Sequence, residues 1–291
     1  MRSWYQPLHA DRAGCGPFPR RTSTGTPVGA YGLTRSAILW RRAFQTWAVL
    51  VFALVQPAFA SDIRPSREFL SPELRAQQDD PARHPGWLWV EQGEALWRAA
   101  PPSGQPSCGG CHGSVEGMRG VATRYPAVSA EGALLNLELR IEQCRSQRQG
   151  ESPFGYESEA LLSLTAAIAA RSRGLPMSVV TSGAAAAHLA EGTRLYSLRQ
   201  GQLNLSCSQC HDDNAGRRLR GDVISSGLGL GYPAYRLEWN GVGSLHRRLR
   251  ACALGVRATQ LPPGSAEYLA LELFLADRAR GLAIEAPGLR R

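Results

Sequence analysis

The sequence repeats itself at an offset of 99 to 108 residues, and this repeat constrains the fold more than any other feature. Gly93, Trp97, Cys108, Cys111 and His112 recur as Gly192, Tyr196, Cys207, Cys210 and His211, each 99 residues later. Tyr125-Pro126 recurs 107 residues on as Tyr232-Pro233, Cys144 recurs 108 on as Cys252, and Arg173-Gly174-Leu175 recurs 107 on as Arg280-Gly281-Leu282. The landmarks keep their order, so the chain reads as two copies of one domain, 61–178 and 179–291, behind a leader of residues 1–60. Each copy predicts three principal helices: 87–98, 132–147 and 158–171 in the first, 185–198, 243–255 and 265–278 in the second. Ser158 and Ser265 are N-cap residues, and Gly174 and Gly281 follow the last helices. No long β-rich segment interrupts the pattern.

Cys108-Gly109-Gly110-Cys111-His112 and Cys207-Ser208-Gln209-Cys210-His211 have the spacing of c-type haem attachment. Two thiols add to the vinyl groups on one edge of a porphyrin, and the next residue reaches back to the iron as proximal ligand. A zinc site or a redox disulfide explains a Cys-x-x-Cys pair, but leaves the histidine after it unexplained twice. The fold class that follows is mainly α, as two tandem class I cytochrome c-like domains with two covalently bound haem c groups. Gly93 and Gly192 then have a role, because a missing side chain lets the first and last helices of each copy cross closely over the haem.

The formal charge of +9 suggests a nucleic-acid partner until its location is examined. Residues 1–60 hold seven arginines against Asp11 alone, which leaves a net charge of +3 for the rest, with no basic and aromatic stripe. No lysine occurs in the chain, which removes lysine as ligand, nucleophile or Schiff-base former. Arg41-Arg42, the apolar run 48–55 and Ala58-Phe59-Ala60 read as a signal peptide cut after Ala60. The apolar run is too short to cross a bilayer, so the mature chain is expected in the periplasm without a membrane span.

The sixth iron ligand is the next question. Met177 is the last methionine and precedes the second motif, while Met118 follows His112 too closely to reach the opposite face. Cys15 lies in the leader and four cysteines hold vinyl groups, so Cys144 and Cys252 remain, at matching places in the two copies. Each is a candidate thiolate ligand opposite its histidine. Two alternatives stand beside this: a Cys144–Cys252 disulfide, and His246 as the distal ligand of the second haem, although its counterpart in the first copy is Glu138. A thiolate favours ferric iron and lowers the potential, which points to sulfur chemistry rather than a shuttle to an oxidase.

Residues 192–211, 247–258 (RRLRACALGVRA) and 263–288 (PGSAEYLALELFLADRARGLAIEAPG) resemble the SoxA family, a subunit of the SoxAX cytochromes of bacterial thiosulfate oxidation. Residues 136–144 and the Tyr156-Glu157-Ser158 stretch through Leu161-Leu162 extend the resemblance to the first copy, and both motifs match the family's two-haem subgroup. The resemblance implies an L-cysteine S-thiosulfotransferase. It implies a heterodimer with a small c-type cytochrome (SoxX-like) that couples thiosulfate to a cysteine of a SoxYZ-like carrier and passes two electrons through haem. By position Cys252 matches the distal, catalytic cysteine, which in the family can carry a persulfide sulfur, and His211 matches the proximal ligand of that haem. Arg248 matches the arginine beside the site, and His112 and Cys144 match the axial pair of the first haem.

The residues themselves agree with an anionic substrate. Residues 241–258 hold four arginines and no acid, and Arg248 stands one helical turn before Cys252. Arg140 holds the same place before Cys144, so a role in balancing the thiolate or a haem propionate stands beside substrate binding. Two other readings remain: a two-haem electron carrier, and a thiosulfate dehydrogenase forming tetrathionate. A peroxidase needs an open iron, which a tethered thiolate closes.

Overall fold

The computed structural model describes residues 63–291; the leader, its cleavage point and Cys15 lie outside the described residues. The first pair of helices is α1 (Pro72–Asp79) and α2 (Trp87–Arg98). The one-turn α3 (Cys108–His112) carries the first motif, and α4 (Leu137–Arg148) and α5 (Glu159–Ala170) complete the N-terminal half. In the C-terminal half α6 (Ala186–Ser197), α7 (Cys207–His211), α8 (Leu245–Gly255) and α9 (Ala266–Arg278) follow in the same order.

Serines start most of these helices. Ser107, Ser158, Ser206, Ser244 and Ser265 each accept a backbone N–H of the first turn, which satisfies donors that have no partner inside the helix. At α7 the cap is reciprocal, with Gln209 reaching back to Ser206 N–H. The long helices then cross in pairs. A Cβ on Gly93 of α2 would lie 2.0 Å from Ser163 O of α5, and one on Gly192 of α6 would lie 2.1 Å from Ala270 O of α9. The two backbones therefore meet where no side chain can fit, and α5 is buried along Leu161–Ala170.

Sequence and structure differ at two places. Residues 132–136, predicted as helix, instead form a hairpin: β1 (Ala127–Val128) pairs antiparallel with β2 (Leu134–Leu135), Gly132 turns with φ +85°, and Asn136 caps α4. The second difference is a small sheet. After the exposed hairpin of β3 (Arg218–Leu219) and β4 (Asp222–Val223), strand β5 (Ala234–Arg236) lies between β6 (Gly241–Gly243) and β7 (Gly288–Arg290). The first pairing is antiparallel, with Tyr235 opposite Val242, and the second parallel, with Tyr235 opposite Leu289. These strands are three residues long with glycine in β6 and β7, too short to produce an alternation in the sequence. β6 runs straight into Ser244, the cap of α8, and so sets the direction of the helix that carries Arg248 and Cys252.

The two halves share one contact unit, Ala60–Arg291. Residues 174–177 and 281–284 exchange backbone bonds across the seam, among them Gly174 N–H to Ile284 O at 2.9 Å and Ile284 N–H to Leu175 O at 2.9 Å. Beneath them Leu134, Ala169, Val179, Leu230, Leu273 and Ile284 form one apolar cluster. Met177 is 8% exposed within it, a packing residue.

A Gly192→Ala variant should lose about 1–3 kcal/mol of stability, because the added methyl drives α6 and α9 apart. Gly255→Ala, where nothing lies within 4 Å, should stay within about 0.5 kcal/mol of the parent. Thermal or denaturant unfolding of the two variants checks the contrast.

Candidate haem centres

Each Cys-x-x-Cys-His sequence folds as a single capped helical turn that ends on its histidine. In both, the aromatic residue of the preceding helix grips the residue after the histidine, by different chemistry. Trp97 Nε1 donates to Gly113 O at 2.9 Å, whereas Tyr196 OH donates to Asp212 Oδ1 at 2.8 Å. Arg278 of α9 donates to the same Asp212 oxygen at 2.6 Å and lies 4.7 Å over the Tyr196 ring. The second turn is thus tied to the long helix behind it.

His211 is oriented from outside. Its Nδ1 lies 2.7 Å from Ser225 O, which places the proton on Nδ1 and leaves Nε2 unprotonated, the form that binds iron. Gly227, at φ +72°, packs so close that a Cβ there would lie 2.6 Å from the His211 ring. Across from this cradle lies Cys252 of α8, near enough to feel the His211 ring. Burial pushes the Cys252 thiol up, but the nearby His211 and the charges of Arg248 and Arg236 outweigh it and hold the thiol below its ordinary value. The same pairing raises Arg248, chiefly through Cys252 and against burial. No side-chain hydrogen bond or ion pair to another described residue is recorded for Arg248, so its planar fork of donors is uncommitted beside the sulfur.

The donor set fits a haem held through Cys207 and Cys210, with His211 and Cys252 converging on one point from α7 and α8. Neither vinyl-binding cysteine is set up as a free nucleophile. Burial pushes the Cys207 thiol up to about 11, with Cys252 adding to the effect, and burial raises Cys210 too.

The first centre is more open. His112 is exposed, its ring 5.8 Å from that of Trp97. Cys144 acts electrostatically on Cys108 and Tyr125, and lines an open cleft of about 290 Å³ with Arg140, Gln143 and Tyr125. Arg140 spends one donor on Gln143 Oε1 at 2.7 Å.

Two of the sequence alternatives meet this geometry. Cys144 and Cys252 are both free thiols. His246, the rival ligand, is 0% exposed and occupied elsewhere: its Nδ1 accepts Gly264 N–H at 2.9 Å and its Nε2 lies 2.9 Å from Glu272 Oε2. Six residues before Cys252, it is on another side of α8. Sequence reasoning missed Arg236, 5% exposed on β5, paired to Glu238 at 2.8 Å and felt by Cys252. It lies 16 residues before Cys252 and is brought near through the β5–β6 hairpin, which carries no periodic signal.

A chain with Cys-x-x-Cys-His turns on crossed helices is of the cytochrome c class. The family "SoxA/TsdA, cytochrome c domain" matches residues 92–177. The chain is 34% identical over 226 residues to the L-cysteine S-thiosulfotransferase subunit SoxA of Pseudaminobacter salicylatoxidans, covering 77% of this chain and 79% of that protein. To the SoxA subunit of Allochromatium vinosum it is 35% identical over 208 residues, 69% of this chain and 72% of that one. The crystal structure of SoxXA from P. pantotrophus superposes with a TM-score of 0.77 at 33% identity, over 81% of this chain and 91% of the matched chain. The chain belongs to the SoxA family and, as a c-type cytochrome, binds haem c covalently.

Gly227→Ala should shift the absorption bands of the C-terminal haem and cost at least about 1 kcal/mol, since the methyl strains a left-handed position and displaces the His211 ring. An absorption spectrum and unfolding curve matching the parent would remove the cradle role of residues 225–227.

Proposed function

We propose that this chain is the haem-bearing subunit of an L-cysteine S-thiosulfotransferase that works in the periplasm after removal of residues 1–60. In this reading it consists of two tandem class I cytochrome c-like domains, 61–178 and 179–291. One haem is attached at Cys108 and Cys111 with His112 and Cys144 as axial ligands. The other is attached at Cys207 and Cys210 with His211 and Cys252. A small SoxX-like cytochrome completes the heterodimer, and the sulfur acceptor is a cysteine on a SoxYZ-like carrier.

The observation that carries this reading is the pairing of Cys252 with Arg248, a guanidinium without a side-chain hydrogen bond or ion pair among the described residues, across from His211. Thiosulfate presents sulfonate oxygens and a nucleophilic outer sulfur. Arg248 is suited to a fork-like grip on the oxygens, leaving the outer sulfur toward Cys252. Arg236, held by Glu238, adds a fixed positive charge behind the site. In the overall reaction a bond forms between the outer sulfur of thiosulfate and the carrier cysteine sulfur, the thiol proton is released, and two electrons depart. Bound haem supplies the electron-accepting chemistry. What the chain contributes is orientation of His211 through Ser225 and Gly227, a thiol held toward its anionic form, and a cationic pocket for the oxyanion.

The second reading, thiosulfate dehydrogenase, draws on a family description that spans SoxA and TsdA. The two separate in one assay: the holoprotein with its cytochrome partner, thiosulfate and a carrier bearing an exposed cysteine, followed by mass spectrometry of the carrier. The carrier should gain one thiosulfonate; tetrathionate appearing without a carrier would sink the first reading. Cys252→Ala should retain two haems by mass while conjugation falls at least about 10²-fold. Arg248→Gln should lower kcat/KM about 10- to 10²-fold through loss of charged hydrogen bonds. Parent-level turnover by either variant would remove that residue from the site.

A further inference from the structure

At the seam between the two halves lies a group of ionisable side chains that the sulfur chemistry does not use. We propose that Glu138 and Glu272 form a buried one-proton lock, in which a proton held on Glu138 keeps α4 and α9 together and its loss loosens the contact between the two halves.

The geometry begins at the N-terminus of α4. Asn136 caps the helix through Oδ1, which accepts Leu139 N–H at 3.1 Å, and uses its amide nitrogen on the opposite side. That nitrogen donates to Tyr156 OH at 2.6 Å and to Glu272 Oε2 of α9 at 3.0 Å. The same carboxylate oxygen lies 2.9 Å from His246 Nε2 of α8. Because His246 Nδ1 accepts Gly264 N–H, the ring is the neutral tautomer with its proton on Nε2. Tyr156 stacks on that ring with centroids 5.3 Å apart and 6° between planes, and Tyr268 packs at 5.4 Å. Glu272 therefore accepts one hydrogen bond, from Asn136, with His246 Nε2 close by but aimed away from a hydrogen bond.

Glu138 has less support, its own backbone N–H alone. It is 6% exposed and no side-chain donor reaches it. It shares with Glu272 the wall of a cavity of about 60 Å³, which Tyr125, Tyr232 and Thr165 also line. Glu157, whose carboxylate oxygens are buried without a partner, adds a second negative neighbour. No cation acts on Glu138. Burial first, and then the charge of Glu272, push its carboxyl up to about 8, and Tyr156 is likewise driven far above its ordinary value, so the phenol stays neutral. A proton on Glu138 relieves its repulsion by Glu272 across the shared cavity. A second and a third carboxylate in the same dry seam, with His246 Nδ1 committed to Gly264, have no counter-charge to turn to.

The folded chain binds this proton more tightly than the unfolded chain, whose carboxyl titrates near 4.5. The stability it confers is complete below that value and is lost as pH climbs through about 8. The lock thus holds at neutral pH and releases on the alkaline side.

Infrared spectroscopy of the holoprotein between pH 6 and 10 tests this. A neutral-carboxyl carbonyl band should be present at pH 6.5, vanish with a midpoint near 8, and be absent from Glu138→Gln. Hydrogen exchange of the seam amides of Leu139, Met177 and Gly264, corrected for intrinsic chemistry, should accelerate at least about tenfold from pH 7 to 9 in the parent and not in Glu138→Gln. Should Glu138→Gln fail to fold, Glu272→Gln serves: removal of the neighbouring anion should move the carbonyl midpoint to lower pH, which a purely packing role would not. No neutral-carboxyl band in the parent, an unchanged band in Glu138→Gln, a midpoint unmoved in Glu272→Gln, or identical exchange profiles would overturn the proposal.

Discussion

Two helix crossings made without side chains hold everything else in position. Where Gly93 meets Ser163 O and Gly192 meets Ala270 O, backbone replaces packing, so α2 is pinned against α5 and α6 against α9. Each first helix ends just before a Cys-x-x-Cys-His turn, and its aromatic residue binds the position after the histidine. An error of one side chain's width at the crossing would be passed to the histidine. The glycines fix the distance, and the aromatic residues convert that distance into the orientation of the turn.

The second centre is the more constrained of the two. Asp212 receives both Tyr196 and Arg278, Ser225 fixes His211 from behind, and α8 brings Cys252 to the front. At the first centre, Gly113 offers only a backbone carbonyl and Cys144 opens on a cleft. Two copies of one sequence pattern have thus diverged in rigidity while keeping their landmarks. A thiol under the charges of Arg248 and Arg236 suits a site that must orient an anion; an open cleft does not impose that order.

Much of this was legible in the sequence. The six principal helices, and the serine caps of the last helix in each half, follow from apolar spacing and capping chemistry, which are local. Cys252 was found by elimination among the cysteines and Arg248 through the family resemblance, with their four-residue separation on a helix in agreement. The hairpin at residues 127–135 and the β6–β5–β7 sheet were not legible, since two- and three-residue strands leave no periodic trace and β7 joins β5 from the far end of the chain. Arg236 was missed for the same reason: its place beside Cys252 comes from strand pairing and not from spacing.

His246 shows most plainly where spacing misleads. In the repeat it stands opposite Glu138, and as a histidine near Cys252 it looked like a ligand. In the fold these equivalent positions face the seam, where a mirror-like arrangement would have set two like residues against each other. Tyr125 and Tyr232 illustrate the tolerated case, two neutral groups sharing one cavity wall. With ionisable residues the symmetric choice is costly, because two buried carboxylates repel and two buried imidazoles lack an acceptor. Glutamate at 138, histidine at 246 and glutamate at 272, where the first half has Thr165, break that symmetry. The seam sets Glu272 against Asn136 and beside His246 and leaves Glu138 to carry a proton, and the imidazole is thereby held in the seam, on another side of α8 from Cys252.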